Sequence, residues 1–414
     1  MRERVLKSES RGGGGVTSDR SAAGQAAGIP TLEVRTRRAG GAPARRLRVL
    51  HVGKFYPPHR GGMETHLRDL CERLRHEVET EVLVADGVGA GVEETVGGVR
   101  VERVATRLRL GAAPVCPGMV RRIRESRADI VHLHFPNPAA VLAYLAAGHR
   151  GALVVTYHSD IVRQSWTGRA FRPVLEHLLR RARAVIATSP DYVESSPVLR
   201  RFRARCRVIP LGIDSERFER RDEGAVGRVR ALHGPRLVTA VGRLVYYKGF
   251  EHLVRAMRET DGRLVIVGDG PLRPLLARER DAWGLGDRVA LPGEVEDVTP
   301  YLQAADVFAL PSVARSEAFG IVQLEAMACG VPVVNTRLPS GVPFVSPDGV
   351  CGSTVPPGDA GALARALNQL LDDPALRARY GEAGRRRVRA EFTADLMAER
   401  TLRLYREVAG APGA

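Results

Sequence analysis

From Leu47 onward, short apolar runs alternate with stretches whose apolar residues recur at helical spacing. A mostly parallel sheet covered by helices on both faces leaves this pattern in a sequence. In the first half the runs predict strands over Arg48 to Val52, Glu81 to Val84, Val99 to Val104, Ile130 to Leu133, Leu153 to Tyr157, Ala184 to Ala187 and Arg207 to Ile209. Amphipathic stretches between them, such as Glu64 to Arg75 and Phe171 to Arg183, predict covering helices. A second series begins near Arg236, with strands over Leu237 to Val241, Leu264 to Val267, Val289 to Leu291, Val307 to Leu310, Val333 to Asn335 and Gly352 to Val355. Between the two series, Asp214 to Pro235 is charged, glycine-punctuated and poor in apolar runs, as linkers are. The expected layout is a disordered basic tail over 1–46, an α/β domain over 47–213, a linker over 214–235, a second α/β domain over 236–390 and a terminal segment over 391–414.

Several of the predicted strand ends carry chemistry. The first strand of the second series runs into Val241-Gly242-Arg243-Leu244-Val245-Tyr246-Tyr247-Lys248-Gly249, and the next closes on Val267-Gly268-Asp269-Gly270-Pro271. The run Val307 to Leu310 stops at Pro311-Ser312 and is followed by Glu317-Ala318-Phe319-Gly320-Ile321-Val322-Gln323-Leu324-Glu325. A helix started at Glu317 would put that acid at its mouth and Glu325 about two turns inside, on roughly the same face. Arg243 and Lys248 bring two cations to a strand end, where they could meet the phosphates of a nucleotide. In the first half, Gly61-Gly62 follows the first strand and opens a helix near Met63, so that backbone amides can approach phosphate. His158, in Thr156-Tyr157-His158-Ser159-Asp160, ends another strand. Doubly wound sheets bind nucleotides at the carboxyl ends of their strands, so two Rossmann-like domains with a ligand in the cleft between them are expected.

Gly61-Gly62-Met63-Glu64, Arg243 with Lys248, Gly268-Asp269-Gly270 and the E-x7-E segment from Glu317 to Glu325 together resemble the retaining glycosyltransferases of the GT-B fold, family four. The resemblance runs from about Arg48 to about Val408. It implies a nucleotide-sugar donor and assigns His158, by analogy, to the donor sugar, with Arg243, Lys248 and Glu317 beside it as the catalytic set. Gly61, Gly62, Gly242, Asp269 and the amides of Phe319, Gly320 and Ile321 then belong to the donor site, and Glu325 holds two ribose hydroxyls. Asp160 is a candidate acceptor-side contact and Arg163 a candidate phosphate contact. The last helix, about Ala394 to Val408, should cross back onto the first domain.

Leu338 to Val345 departs from many relatives by carrying Phe344 where they place a glutamate. With Ser159 to Gln164 it is similar to a bacterial subgroup of mannosyl- or rhamnosyltransferases of surface polysaccharides, which puts GDP-mannose ahead of UDP- and dTDP-sugars. The implied acceptor is a glycan or a polyprenyl-diphosphate-linked glycan. No D-x-D stands near the donor motifs, so neither a cofactor nor metal dependence is expected.

Composition adds limits. The 414 residues, 44% of them hydrophobic, suffice for two or three globular domains. The apolar runs are too short for a spanning helix and the first residues lack an apolar export core, so cytoplasmic residence is expected. Five cysteines, odd in number and without a C-x-x-C pair, predict buried thiols. His132-Leu133-His134 is a poor metal site, since no third ligand is in reach of sequence argument. Of the net charge of +16, +7 falls on residues 1–48. The rest suits an anionic membrane surface touched peripherally, or pyrophosphate-bearing ligands, and arginine-rich composition alone gives the same bias. No nucleic-acid module is recognisable. The rivals are a sugar-nucleotide epimerase of similar fold and a basic binding protein on an inactive scaffold.

Overall fold

The computed structural model describes residues 45–59, 61–85, 91–110, 113–161 and 165–410, with the side chains of 108–115 and 165–169 left out. Most of the expected basic tail, and Arg163, lie outside the described residues.

Two sheets carry the molecule. The first has eight strands in the order Cys206–Val208, Ala184–Ala187, Ala152–Tyr157, Ile130–Phe135, Arg48–Val52, Glu79–Ala85, Val99–Val104, Val92–Val96. All pair in parallel except the last, which is antiparallel to Val99–Val104. The second is wholly parallel, in the order Val289–Gly293, Arg263–Val267, Leu237–Val241, Val307–Leu310, Val333–Thr336, Gly352–Val355. Strands in such sheets are covered on both faces, so central ones are apolar throughout: every residue of Ile130–Phe135 and Val307–Leu310 is buried. Residues Val92–Val96 form an edge strand that the apolar pattern misses. Edge strands need no apolar run, and this one is held partly by Arg100, which reaches Glu93 at 2.6 Å and Glu81 at 3.0 Å.

The segment expected to be a linker is instead mostly helical, over Ser215–Glu219 and Glu223–His233. Asp222 caps the second of these by accepting from the Ala225 amide at 2.9 Å. Val226 and Val229 pack with Leu237, Val265 and Val267 of the second sheet. Arg230 makes a two-pronged contact with Asp306 at 2.8 and 3.0 Å, and Asp306 also accepts from the Leu237 amide. Two valines among charges and glycines are too thin a stripe to announce a helix, yet enough to anchor one.

The chain passes between the sheets twice, and the two passages touch. Ile213 donates to the Phe392 carbonyl and accepts from the Ala394 amide, both at 2.9 Å. A side chain on Gly212 would put its Cβ 2.3 Å from the Thr393 carbonyl oxygen, so only glycine fits. Beyond this crossing the helix Ala394–Gly410 lies on the first sheet: Met397, Leu404 and Tyr405 share a core cluster with Leu70, Leu74, Val49, Ile130 and Val154.

Candidate active site

The carboxyl ends of the two sheets face each other across a cleft. Gly62, at the start of the helix Gly62–Leu74, has Ile321 of the second sheet's side opposite it, 3.8 Å from where a Cβ would stand. Gly341 meets Ser189 in the same way, at 2.8 Å. Asp160, two residues beyond His158, is ion-paired with Arg315, two residues before Glu317. The loops bearing His158 and Glu317 are therefore fastened to one another.

That contact revises the reading of Asp160. Its Oδ1 accepts from the Tyr157 hydroxyl at 2.7 Å and the Ser196 hydroxyl at 2.9 Å, while Oδ2 meets Arg315. The carboxylate is already engaged as a fastener between the two sides of the cleft rather than left free for an acceptor.

Lys248 and Glu317, 69 positions apart, form a direct pair: Nζ lies 2.7 Å from Oε2, with the side chains 11% and 10% exposed. Ser312 Oγ donates to the same oxygen at 3.0 Å. The second sheet brings this about by running Leu237–Val241 beside Val307–Leu310, so that the loops leaving both strands emerge together. Gly242 and Gly249 make room. A Cβ on Gly242 would stand 3.2 Å from Lys248 Cε, and one on Gly249, where φ is +65°, only 2.2 Å from the Pro311 carbonyl oxygen. Arg243 is exposed and makes no ion pair among the described residues. Asp269 is turned to its own loop, where Oδ1 accepts from the Gly270 amide at 2.7 Å.

The expected helix from Glu317 to Glu325 is corrected by the structure. The helix begins only at Val322, because Gly320 adopts φ +71°, a left-handed conformation that interrupts a right-handed helix. Glu317 sits in the preceding loop with its amide on the Ala314 carbonyl at 3.0 Å, and Glu325 falls in the helix's first turn. Phe319 packs its ring into the core near Phe392, leaving only its backbone for a ligand. Among the described residues, no hydrogen bond uses the amides of Phe319, Gly320 or Ile321.

Glu325 is half-buried, with protein around most of its side chain. Burial pushes its carboxyl up to about 7, with Asp69 across the cleft adding to the rise and Arg217 and Lys248 opposing it. Because the folded value lies above the ordinary 4.5, stability from this group is complete below about pH 4.5 and is lost as pH rises through about 7. Glu325→Gln is therefore expected to flatten the fall in melting temperature between pH 5 and 8. A wild-type slope in the variant would remove Glu325 as its source.

His158 is buried, and its Nε2 lies 3.3 Å from His134 Nδ1. Burial holds the His158 imidazole well below its usual range, with the His66 ring adding to the shift. Gly61 is the N-cap of its helix, and its missing side chain leaves room for the Glu64 carboxylate, whose Oε2 is 2.3 Å from where a Cβ would stand. Arg315 and His66 border this region unannounced by sequence, because Arg315 is placed by Asp160 on the far side of the cleft and His66 by packing its ring edge-on to His158. The expected burial of the cysteines holds for Cys71, Cys116 and Cys351, whereas Cys206 and Cys329 are only half-buried. No helix among the described residues is long and apolar enough to cross a membrane.

Residues 60–217 match the family described as Glycosyltransferase Family 4, and residues 228–387 match Glycosyl transferases group 1. The chain is 33% identical over 369 residues to O-antigen chain mannosyltransferase C of Escherichia coli, covering 87% of this chain and 98% of that protein. It is also 33% identical over 365 residues to a GDP-mannose-dependent alpha-(1-6)-phosphatidylinositol monomannoside mannosyltransferase of Mycolicibacterium smegmatis, covering 81% and 92% of the two. Among solved structures, sucrose-phosphate synthase from Thermosynechococcus elongatus superposes with a TM-score of 0.76 at 26% identity, over 89% of this chain and all of that one. The chain belongs to the group 1 and family 4 glycosyltransferases and has the GT-B fold.

Proposed function

We propose that the protein is a retaining hexosyltransferase that moves mannose from GDP-mannose to a glycan or polyprenyl-diphosphate-linked acceptor, forming an α-linkage without a metal ion at the diphosphate. The observation that carries this reading is the buried Lys248–Glu317 pair at the mouth of the second sheet, fastened through Arg315 and Asp160 to the loop that bears His158. Lys248 and Arg243 meet the leaving diphosphate, and charge that develops there as the glycosidic bond breaks is met by cations already in place. Glu317, held by Lys248 and Ser312, is oriented toward sugar hydroxyls rather than freed as a nucleophile. The C1–phosphate bond breaks and the acceptor oxygen bonds to C1 on the same face. The acceptor's proton passes to the departing phosphate oxygen, so no second carboxylate is needed. The mannosyltransferase relatives support mannose, and the GDP-mannose-dependent one supports guanine.

Purified protein given a panel of GDP-, UDP- and dTDP-sugars should hydrolyse or transfer from one of them. Failure to bind any member of the panel defeats the proposal.

Glu325 is the proposed holder of the ribose hydroxyls, for which the carboxylate is the better acceptor. Since its carboxyl stands near 7 in the free protein, donor affinity should rise about tenfold from pH 6 to pH 8. A nucleotide sugar keeps its pyrophosphate charge constant over that window, so titration calorimetry reads the protein group. Glu325→Gln should bind more weakly and without the slope; a variant that retains the slope assigns it elsewhere.

A further inference from the structure

Five imidazoles are buried side by side at the cleft end of the first sheet: His51, His132, His134 and His158 on its strands or strand ends, and His66 on the helix Gly62–Leu74. Four of them are tied into one line of hydrogen bonds. His158 Nε2 meets His134 Nδ1 at 3.3 Å, His134 Nε2 meets His51 Nδ1 at 3.2 Å, and His51 Nε2 lies 3.5 Å from the Tyr405 hydroxyl. Tyr405 meets His132 Nδ1 at 2.5 Å, and His132 Nε2 meets Thr156 Oγ1 at 2.6 Å.

His66 is the exception. It is 4% exposed and neither ring nitrogen has a hydrogen-bond partner. Burying an unpaired polar nitrogen costs about 1–3 kcal/mol, so such a group calls for a ligand.

Two sets of three imidazoles bring one nitrogen each to within 4.8 Å of the others: His51 with His132 and His134, and His66 with His134 and His158. In the first set the protein already satisfies the rings through Tyr405 and Thr156. The second contains the ring that nothing satisfies. Zinc–imidazole bonds of about 2.0–2.1 Å set nitrogen–nitrogen edges of about 3.3–3.4 Å in a tetrahedron, and His134 and His158 already stand 3.3 Å apart.

We propose that His66, His134 and His158 form a binding site for a borderline-soft divalent cation of the zinc type, with a fourth position left to water or to a molecule in the cleft. With Nδ1 on the ion, His134 donates from Nε2 to His51, which donates in turn to Tyr405. Metal-bound imidazoles characteristically have this outer shell, which fixes their tautomer. The ion takes His158 by Nε2 and leaves Nδ1 as the ring atom for a ligand in the cleft. The sequence pairs His134 with His132, but the rings that complete its site are His66, from a helix, and His158, from the end of another strand.

The test uses the whole chain, freed of any histidine tag and stripped with chelator. Added Co2+ should give the visible absorption of a four-coordinate ion at one per chain, displaced by Zn2+ and accompanied by a higher melting temperature. His66→Ala should lower affinity at least about hundredfold while keeping the chain folded, since it removes an unpaired group. His134→Gln should do the same, and the exposed His76→Ala should bind as wild type. No cobalt band, or a band that survives His66→Ala, overturns the site. Neither result depends on the donor sugar, so the glycosyltransfer reading stands or falls separately.

Discussion

Lys248→Ala is expected to lower turnover about 10²- to 10³-fold, the usual effect of deleting one prepositioned donor at a site of developing negative charge. It should also destabilise the fold. Lys248 and Glu317 are nearly buried and 2.7 Å apart, and removing one member of such a pair strands the other, at about 3 kcal/mol. The two effects separate in the double variant Lys248→Ala/Glu317→Gln, which no longer buries an unpaired charge. Its melting temperature should recover most of the loss while turnover stays low. If Lys248→Ala alone transfers sugar at the wild-type rate, the ammonium is a structural counter-charge and the proposed leaving-group role is lost. Gly242 is part of the same device. Any side chain there would press on the Lys248 methylenes, so its absence keeps the ammonium over the strand end.

Arg243→Ala should behave differently. The guanidinium is exposed and forms no ion pair among the described residues, so its loss should leave the melting temperature nearly unchanged. Turnover should nonetheless fall about tenfold to a hundredfold, with donor affinity falling less, because the group is assigned to charge that appears only as the bond breaks. Steady-state rates alongside direct donor titration give both numbers. An equal loss in affinity and in kcat/KM, with kcat unchanged, would make Arg243 a ground-state anchor instead.

These contrasts rest on features that the sequence discloses unevenly. Ala184–Ala187, Leu237–Val241 and Val307–Leu310 can be read to the residue, because strands packed inside a parallel sheet leave near-continuous apolar runs. The chemistry at strand ends is legible for a related reason: glycine and charge directly after such a run have few structural uses. Polar edges and thin helices are less visible. Val92–Val96 looks like a loop, and Glu223–His233 shows only two core valines. In the Glu317 to Glu325 segment the spacing of acids suggests one helix, while Gly320 with its positive φ ends that possibility. Contacts between distant positions are invisible in one chain. The sequence groups Lys248 with Glu317 only by resemblance and ties neither Asp160 to Arg315 nor His66 to His158: the first pair is made by neighbouring strands of the second sheet, the second by the facing of the two sheets, and the third by a helix packed on the first sheet.

The two passages between the sheets are bonded to each other at Ile213, Phe392 and Ala394, with Gly212 pressed against Thr393. The crossing is an isolated parallel bridge between Ile213 and Thr393, so at this point the two halves are joined by backbone bonds between their own connections. At the cleft the Asp160–Arg315 ion pair joins the same two halves a second time, through side chains, so salt and pH act on that tie while the backbone bonds of the crossing are indifferent to both.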